Sequence, residues 1–315
     1  MSGLLLVLAL QSGIDWKPDF ESARKAGEGR LLLVSFVMKG RPVTQALEEE
    51  TFSNAAVQLR IRERFSAVRR EAASSVDFFR GVIGGRGAVA SAVMDASGDV
   101  VSVLPGFAGP NEFLRFLERA ESGYPALLKA REAWRRLPHS LGEIFTLGER
   151  YRDLESWKRA EECWLEVVEH AAGLSEAHAG ERVWAAASHE RLARRRVLRG
   201  RIAETKRHLG EARRLDGERR LEPGLLLSEG LVLGLERRHA EAARILDEAL
   251  QRFPGHAEKD HVLFALGFVL HQDRKDARAL EVLEGMLAAH PKSAWAPAAR
   301  EQVGHIKNPQ PDHEH

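Results

Sequence analysis

Two stretches in the second half of this 315-residue chain repeat one pattern of small and large residues, and that recurrence limits the fold more than any other feature. Residues 223–256 carry Leu226, Gly230, Leu233, Ala242, Leu246, Ala249 and Pro254; residues 260–293 carry Leu263, Leu266, Gly267, Leu270, Ala279, Leu283, Met286 and Pro291. The two copies lie 37 residues apart, near the period of about 34 that marks stacked helix pairs, in which large residues fill the groove between two helices while Gly and Ala allow close approach. The prolines close each pair, because proline cannot continue a helix. A third copy reads Ile144, Leu147, Gly148, Tyr151, Ala160, Trp164 and Val167, lacking only the terminal proline. Between it and the later copies, residues 175–215 have room for a degenerate pair in poor register. Helices over Pro125–Arg136 and Ser293–His305 are expected to cap the two ends.

The first half has a different grammar. Leu31 to Val37 is a short apolar, partly β-branched run, the pattern of a buried central strand. Before it, Phe20, Ala23 and Ala26 fall at helical spacing, and Gly27 and Gly29 end that helix. Pro42 suits the first turn of a helix reaching Glu50. Asn54 can cap another helix carrying Val57, Leu59 and Ile61, and Phe65 to Val68 returns as a strand. Ala88 to Met94 and Val100 to Leu104 read as two strands joined by the tight reversal Asp95-Ala96-Ser97-Gly98. A last helix, Asn111 to Ala120, would lay Phe113, Phe116 and Leu117 on the sheet.

The order of these elements, with Ile14-Asp15-Trp16 and Glu49-Glu50-Thr51-Phe52-Ser53-Asn54, resembles a thioredoxin-like domain over residues 14–120. The repeated half resembles the tetratricopeptide (TPR) family, whose pattern is W-x2-L-G-x2-Y, then A-x3-F, then P. Together they imply an α/β thioredoxin-like domain, a central mixed sheet flanked by helices, followed by an all-α TPR-type solenoid. The expected boundaries are an apolar N-terminal segment at 1–13, the sheet domain at 14–121, the repeats at 122–306 and a disordered tail at 307–315. The thioredoxin resemblance places the redox motif on Gly40, Arg41, Pro42, Val43 and Thr44, with Arg41 and Thr44 standing where the family has its two cysteines. Its proline before the hairpin strand would fall near Val89 or Ala90, and neither is proline. Thiol exchange needs an attacking thiolate, so the resemblance implies a scaffold without redox activity. Arg41, at a helix start, could still pair with a partner's carboxylate. The repeats imply a protein or peptide partner in their groove.

Charge and cysteine content narrow the remaining classes. A formal net charge of +1 gives no electrostatic footprint for nucleic acid, and no nucleic-acid partner is expected. Cys163 is the one cysteine, which removes any intramolecular disulfide, C-x-x-C pair or multi-cysteine zinc site. No metal and no cofactor are expected; His178, His189 and His313 lack metal spacing, and no lysine of a phosphate loop follows Gly81, Gly84, Gly85 and Gly87. Ser91 and Asp95 have no elbow motif to make them a triad. Arg194, Arg195 and Arg196, in an Arg-rich stretch from 191 to 220, are the candidate anion-binding residues. Leu4 to Leu10 is too short to span a bilayer, and no membrane span is expected elsewhere. That run lies at the lower limit for a secretory signal but has no Lys or Arg before it, so periplasmic or secreted and cytoplasmic placements both stay open. Three readings of function follow: a non-catalytic interaction, scaffold or chaperone-like protein; a divergent thiol-disulfide oxidoreductase, or one that borrows Cys163; and an anion or nucleic-acid binder through the stretch from 191 to 220, the least favoured of the three.

Overall fold

The computed structural model describes residues 13–27, 29–72, 76–83, 89–172, 179–217 and 219–308. The apolar run at 4–10, Gly84, Gly85, Gly87, His178 and the tail beyond 308 lie outside them. The chain divides into two compact units, Met1–Cys163 and Trp164–His315.

The first unit is built on a five-stranded mixed sheet of order β1-β3-β2-β4-β5. Strand β2 (Leu31–Val37) is buried along its whole length and lies between parallel β3 (Phe65–Glu71) and antiparallel β4 (Ala90–Met94). A strand covered on both faces needs a nearly continuous apolar run, and residues 31 to 37 supply one, broken only by the buried Ser35. The short edge strand β1 (Trp16–Lys17) runs parallel to β3, and β5 (Val100–Pro105) completes a hairpin with β4. The hairpin turns where Asp95 accepts from the amides of Ser97 (2.9 Å) and Asp99 (3.0 Å), with Gly98 at φ +88°.

Helix starts follow the capping residues. The Asp19 carboxylate accepts from the Ser22 amide (2.7 Å) at the head of α1 (Phe20–Ala26), and Asn54 accepts from Ala56 and Val57 at the head of α3 (Ala55–Arg64). Three features depart from the sequence reading. The helix expected from Pro42 to Glu50 is α2 (Pro42–Ala46) followed by a π-helical turn, Leu47–Phe52. The wider turn lets Leu47, Thr51 and Phe52 all face inward, and the Thr51 hydroxyl donates to the Ala108 carbonyl (2.6 Å). Helix α4 (Val76–Ile83) has no counterpart in the sequence reading; it buries Phe79 and Val82 beside Phe36. Finally, α5 (Pro110–Arg136) is one helix where two are expected, with Pro125 in its interior. Its buried stripe, Phe113, Phe116, Leu117 and Ala120, then Leu127 and Ala130, continues past the proline. That burial outweighs the roughly 3 kcal/mol an interior proline costs.

Arg131 on α5 is buried and fastens the helix to the hairpin. Its guanidinium pairs with the Asp95 carboxylate, donates to the Val100 carbonyl (2.9 Å), and reaches the Tyr151 hydroxyl (3.1 Å) on α6 (Leu141–Asp153). Burial works to raise the Asp95 carboxyl, but the Ser97 hydroxyl, the Asp99 amide and Arg131 together hold it below the usual carboxylate range. The Ser102 hydroxyl donates to the Leu154 carbonyl (2.6 Å), tying β5 to the end of α6.

The chain divides inside α7 (Trp157–Ala171). Beyond it lie α8 (Ala179–Val197), α9 (Ile202–Leu215), α10 (Glu222–Leu235), α11 (His239–Arg252), α12 (Lys259–Gln272), α13 (Asp276–Ala289) and α14 (Ala296–Lys307). The last two full pairs, α10 with α11 and α12 with α13, keep one register. Gly230 and Gly267, 37 residues apart, sit where an added Cβ would meet Leu246 at 2.7 Å and Leu283 at 2.5 Å. Arg237 and Arg274, at the same spacing, take left-handed backbone (φ 59° and 61°) at the reversal within each pair. The pair in poor sequence register, α8 and α9, forms as well, and its core explains the weak signal. His189, Glu190, Thr205 and His208 are buried in this pair. Among the described residues, no helix is long and apolar enough to cross a membrane.

Candidate binding surfaces

The turn after β2 holds the five residues picked out by the thioredoxin resemblance. Gly40 adopts φ +75°, Arg41 is the exposed residue before α2, and Pro42 opens that helix. Thr44 is bound on both sides of its hydroxyl, accepting from the Met38 amide (3.2 Å) and donating to the Met38 carbonyl (2.8 Å). Thr44 thus serves as a staple between strand end and helix. Beside this turn, Glu71 accepts from the Lys39 amide (3.3 Å). On β3, Arg69 lies over the Trp16 ring (4.4 Å) and pairs with Glu48 (2.7 Å).

In the helical unit, an apolar cavity of about 320 Å3 opens between the end of α8, α10, α12 and the start of α14. Leu198, Leu235 and Phe268 line it while remaining 52%, 49% and 43% exposed, which is unusual for three large apolar side chains brought to one place. Its floor is aromatic: the Trp295 ring lies nearly parallel to His261 (4.0 Å between centroids) and to Phe264 (5.1 Å). Burial, with Arg194 adding to it, lowers the His261 imidazole to about 4, so the ring is neutral at pH 7. This cavity was missed in the sequence, although a signal exists. Leu231 and Phe268 each follow the repeat glycine, a position the repeat pattern leaves unspecified.

The three consecutive arginines are not an open stripe. Arg194 bonds both carboxylate oxygens of Glu258 (2.8 and 2.9 Å) and the buried Glu190 (2.8 Å). Arg196 is buried with its Nε 3.1 Å from Glu204, and Arg195 is half-buried. Gly224 on α10 leaves room for this cluster, since a Cβ there would meet Glu190 at 2.7 Å. Cys163 is buried in α7. Ser91 is buried on β4, and Asp95 is committed to its turn and to Arg131. Among the described residues, no group of three or more His, Cys, Asp or Glu could hold a metal ion.

Consecutive helix pairs that repeat one glycine-on-leucine contact and one left-handed reversal make this a helical-repeat region. No family model and no curated protein matches the chain. Among solved structures it is similar to a thermophilic TPR protein of Thermus thermophilus, at 19% identity and a TM-score of 0.40, covering 59% of this chain and 90% of that one. It is also similar to YrrB, a TPR protein with an unusual peptide-binding site, at 17% identity and a TM-score of 0.36, covering 60% and 89%.

Proposed function

We propose that this chain is a non-catalytic interaction protein whose helical array takes an apolar segment of a protein partner in the cavity between α8, α10 and α12. The observation that carries this reading is the convergence of Leu198, Leu235 and Phe268, all large, apolar and exposed, over an aromatic floor. Exposed large apolar side chains gathered at one place mark protein-interaction sites. Selection from a displayed peptide library tests it. Peptides with large apolar side chains should be enriched on the intact chain and lost on Phe268→Asp; no enrichment on the intact chain would refute it.

On this reading, residues 14–121 of the first unit are a thioredoxin-like domain, and a repeat array over 122–306 follows it. Its strand order, two parallel pairs followed by an antiparallel hairpin, supports that assignment, as does the turn after β2 that carries Gly40 to Thr44. With Arg41 and Thr44 at the thiol positions, it acts as a second peptide platform without redox activity. The competing oxidoreductase reading must route electrons through Cys163, which is buried. Insulin reduction that disappears in Cys163→Ser would favour that competitor.

A further inference from the structure

A second cavity, of about 620 Å3, opens between the C-terminal half of α7, α8 and α9, apart from the apolar groove described above. Its volume falls within the roughly 300–1,000 Å3 typical of small-molecule sites. One wall is aliphatic, formed by Leu165, Val168 and Leu215. The polar lining is three arginines, Arg182, Arg207 and Arg214, one carboxylate, Glu211, and the histidine pair His189 and His208. Arg214 is matched, since it donates to Glu211 at 2.8 and 3.0 Å. Arg182 and Arg207 form no ion pair among the described residues, and both line the cavity. The histidines do not add to that charge. Their Nδ1 atoms lie 2.8 Å apart, a contact that needs one ring to donate and the other to be bare, and burial lowers both pKa values, that of His208 to about 4. In such a pair the accepting ring keeps its hydrogen on Nε2 and is a neutral donor.

We propose that this cavity is a binding site for an aliphatic carboxylate, with the head group held by Arg182 and Arg207 and the hydrocarbon body against Leu165, Val168 and Leu215. Guanidinium forks match carboxylate geometry, and an apolar wall beside them selects an acid with a hydrocarbon tail over a bare inorganic ion. The site goes beyond the partner groove and does not depend on it, because none of its lining residues lines that groove.

Titration calorimetry on the full chain with sodium octanoate, and with octanol as the neutral control, tests the assignment. Octanoate should bind saturably, octanol at least tenfold more weakly, and Arg207→Gln or Arg182→Gln should weaken octanoate at least tenfold. Both arginine variants should keep the wild-type helical circular-dichroism spectrum. Octanol binding as tightly as octanoate would overturn the proposal, as would unchanged octanoate affinity in both variants or no saturable octanoate binding at millimolar concentration. Peptide selection in the apolar groove should be unaffected by Arg207→Gln, which separates failure of this site from failure of the groove.

Discussion

Replacing Gly267 and Gly285 by alanine, one at a time, separates helix propensity from interhelical packing within a single repeat. Alanine is favoured over glycine inside a helix by about 1 kcal/mol, a gain both variants share. Gly285 on α13 has nothing within 4 Å of an added Cβ, so Gly285→Ala should stabilise the repeat by about that amount. At Gly267 the new methyl would meet Leu283 Cγ at 2.5 Å and Cδ2 at 2.6 Å, and Leu283 is fully buried. Forcing extra volume into a packed core costs about 1–3 kcal/mol. The difference between the variants isolates that steric cost, and it should be about 1–3 kcal/mol with Gly267→Ala the less stable. Native-state hydrogen exchange of amides on α12 and α13 reads it locally, which suits a chain of two units whose global unfolding need not be two-state. Equal stabilisation by both substitutions would refute the packing argument.

Arg131→Met should destabilise the first unit by about 3–5 kcal/mol in urea denaturation, because it leaves the buried Asp95 carboxylate without its cation. Adding Asp95→Asn should recover part of that loss, and a strictly additive double variant would contradict the coupling. His208 and His261, both lowered to about 4, give the helical unit a pH dependence. Their unfolded values are about 6.5. As pH falls below that, the unfolded chain takes up protons the folded state refuses, so stability is intact at about pH 7 and is lost progressively toward about pH 4. Thermal melts at pH 7.5 and 5 should show the lower midpoint at pH 5, and equal midpoints would argue against buried neutral imidazoles. Thr44→Val should cost about 1 kcal/mol, the worth of a hydroxyl hydrogen bond, and an unchanged urea midpoint would show the Met38 staple to be idle.

Some of this fold was readable because local and tertiary demands agree. Six apolar residues around Ser35, from Leu31 to Val37, leave little option but a strand covered on both faces, and Asp95 to Gly98 has the chemistry of the turn it forms. The glycines of the two late repeats announce their contacts through the leucine sixteen residues on. Other features depend on what lies across the chain. Pro125 would end an isolated helix, and only the buried stripe on either side carries α5 through it. Arg131 looks like any surface arginine until Asp95 and Tyr151 are brought to it. The α8–α9 pair hid because histidines, a glutamate and a threonine fill positions where the repeat pattern expects hydrocarbon. The groove residues were obscured for the opposite reason, since exposed Leu235 and Phe268 are indistinguishable in sequence from core residues.

The most direct test of partner binding in the apolar groove is the affinity of a selected apolar peptide for the intact chain and for Phe268→Asp, by calorimetry. An anchor of this kind is worth about 2 kcal/mol or more, and about 1.4 kcal/mol is tenfold, so the variant should bind at least about twentyfold more weakly with an unchanged melting temperature. Equal affinity in the two proteins would place the partner elsewhere and contradict the groove.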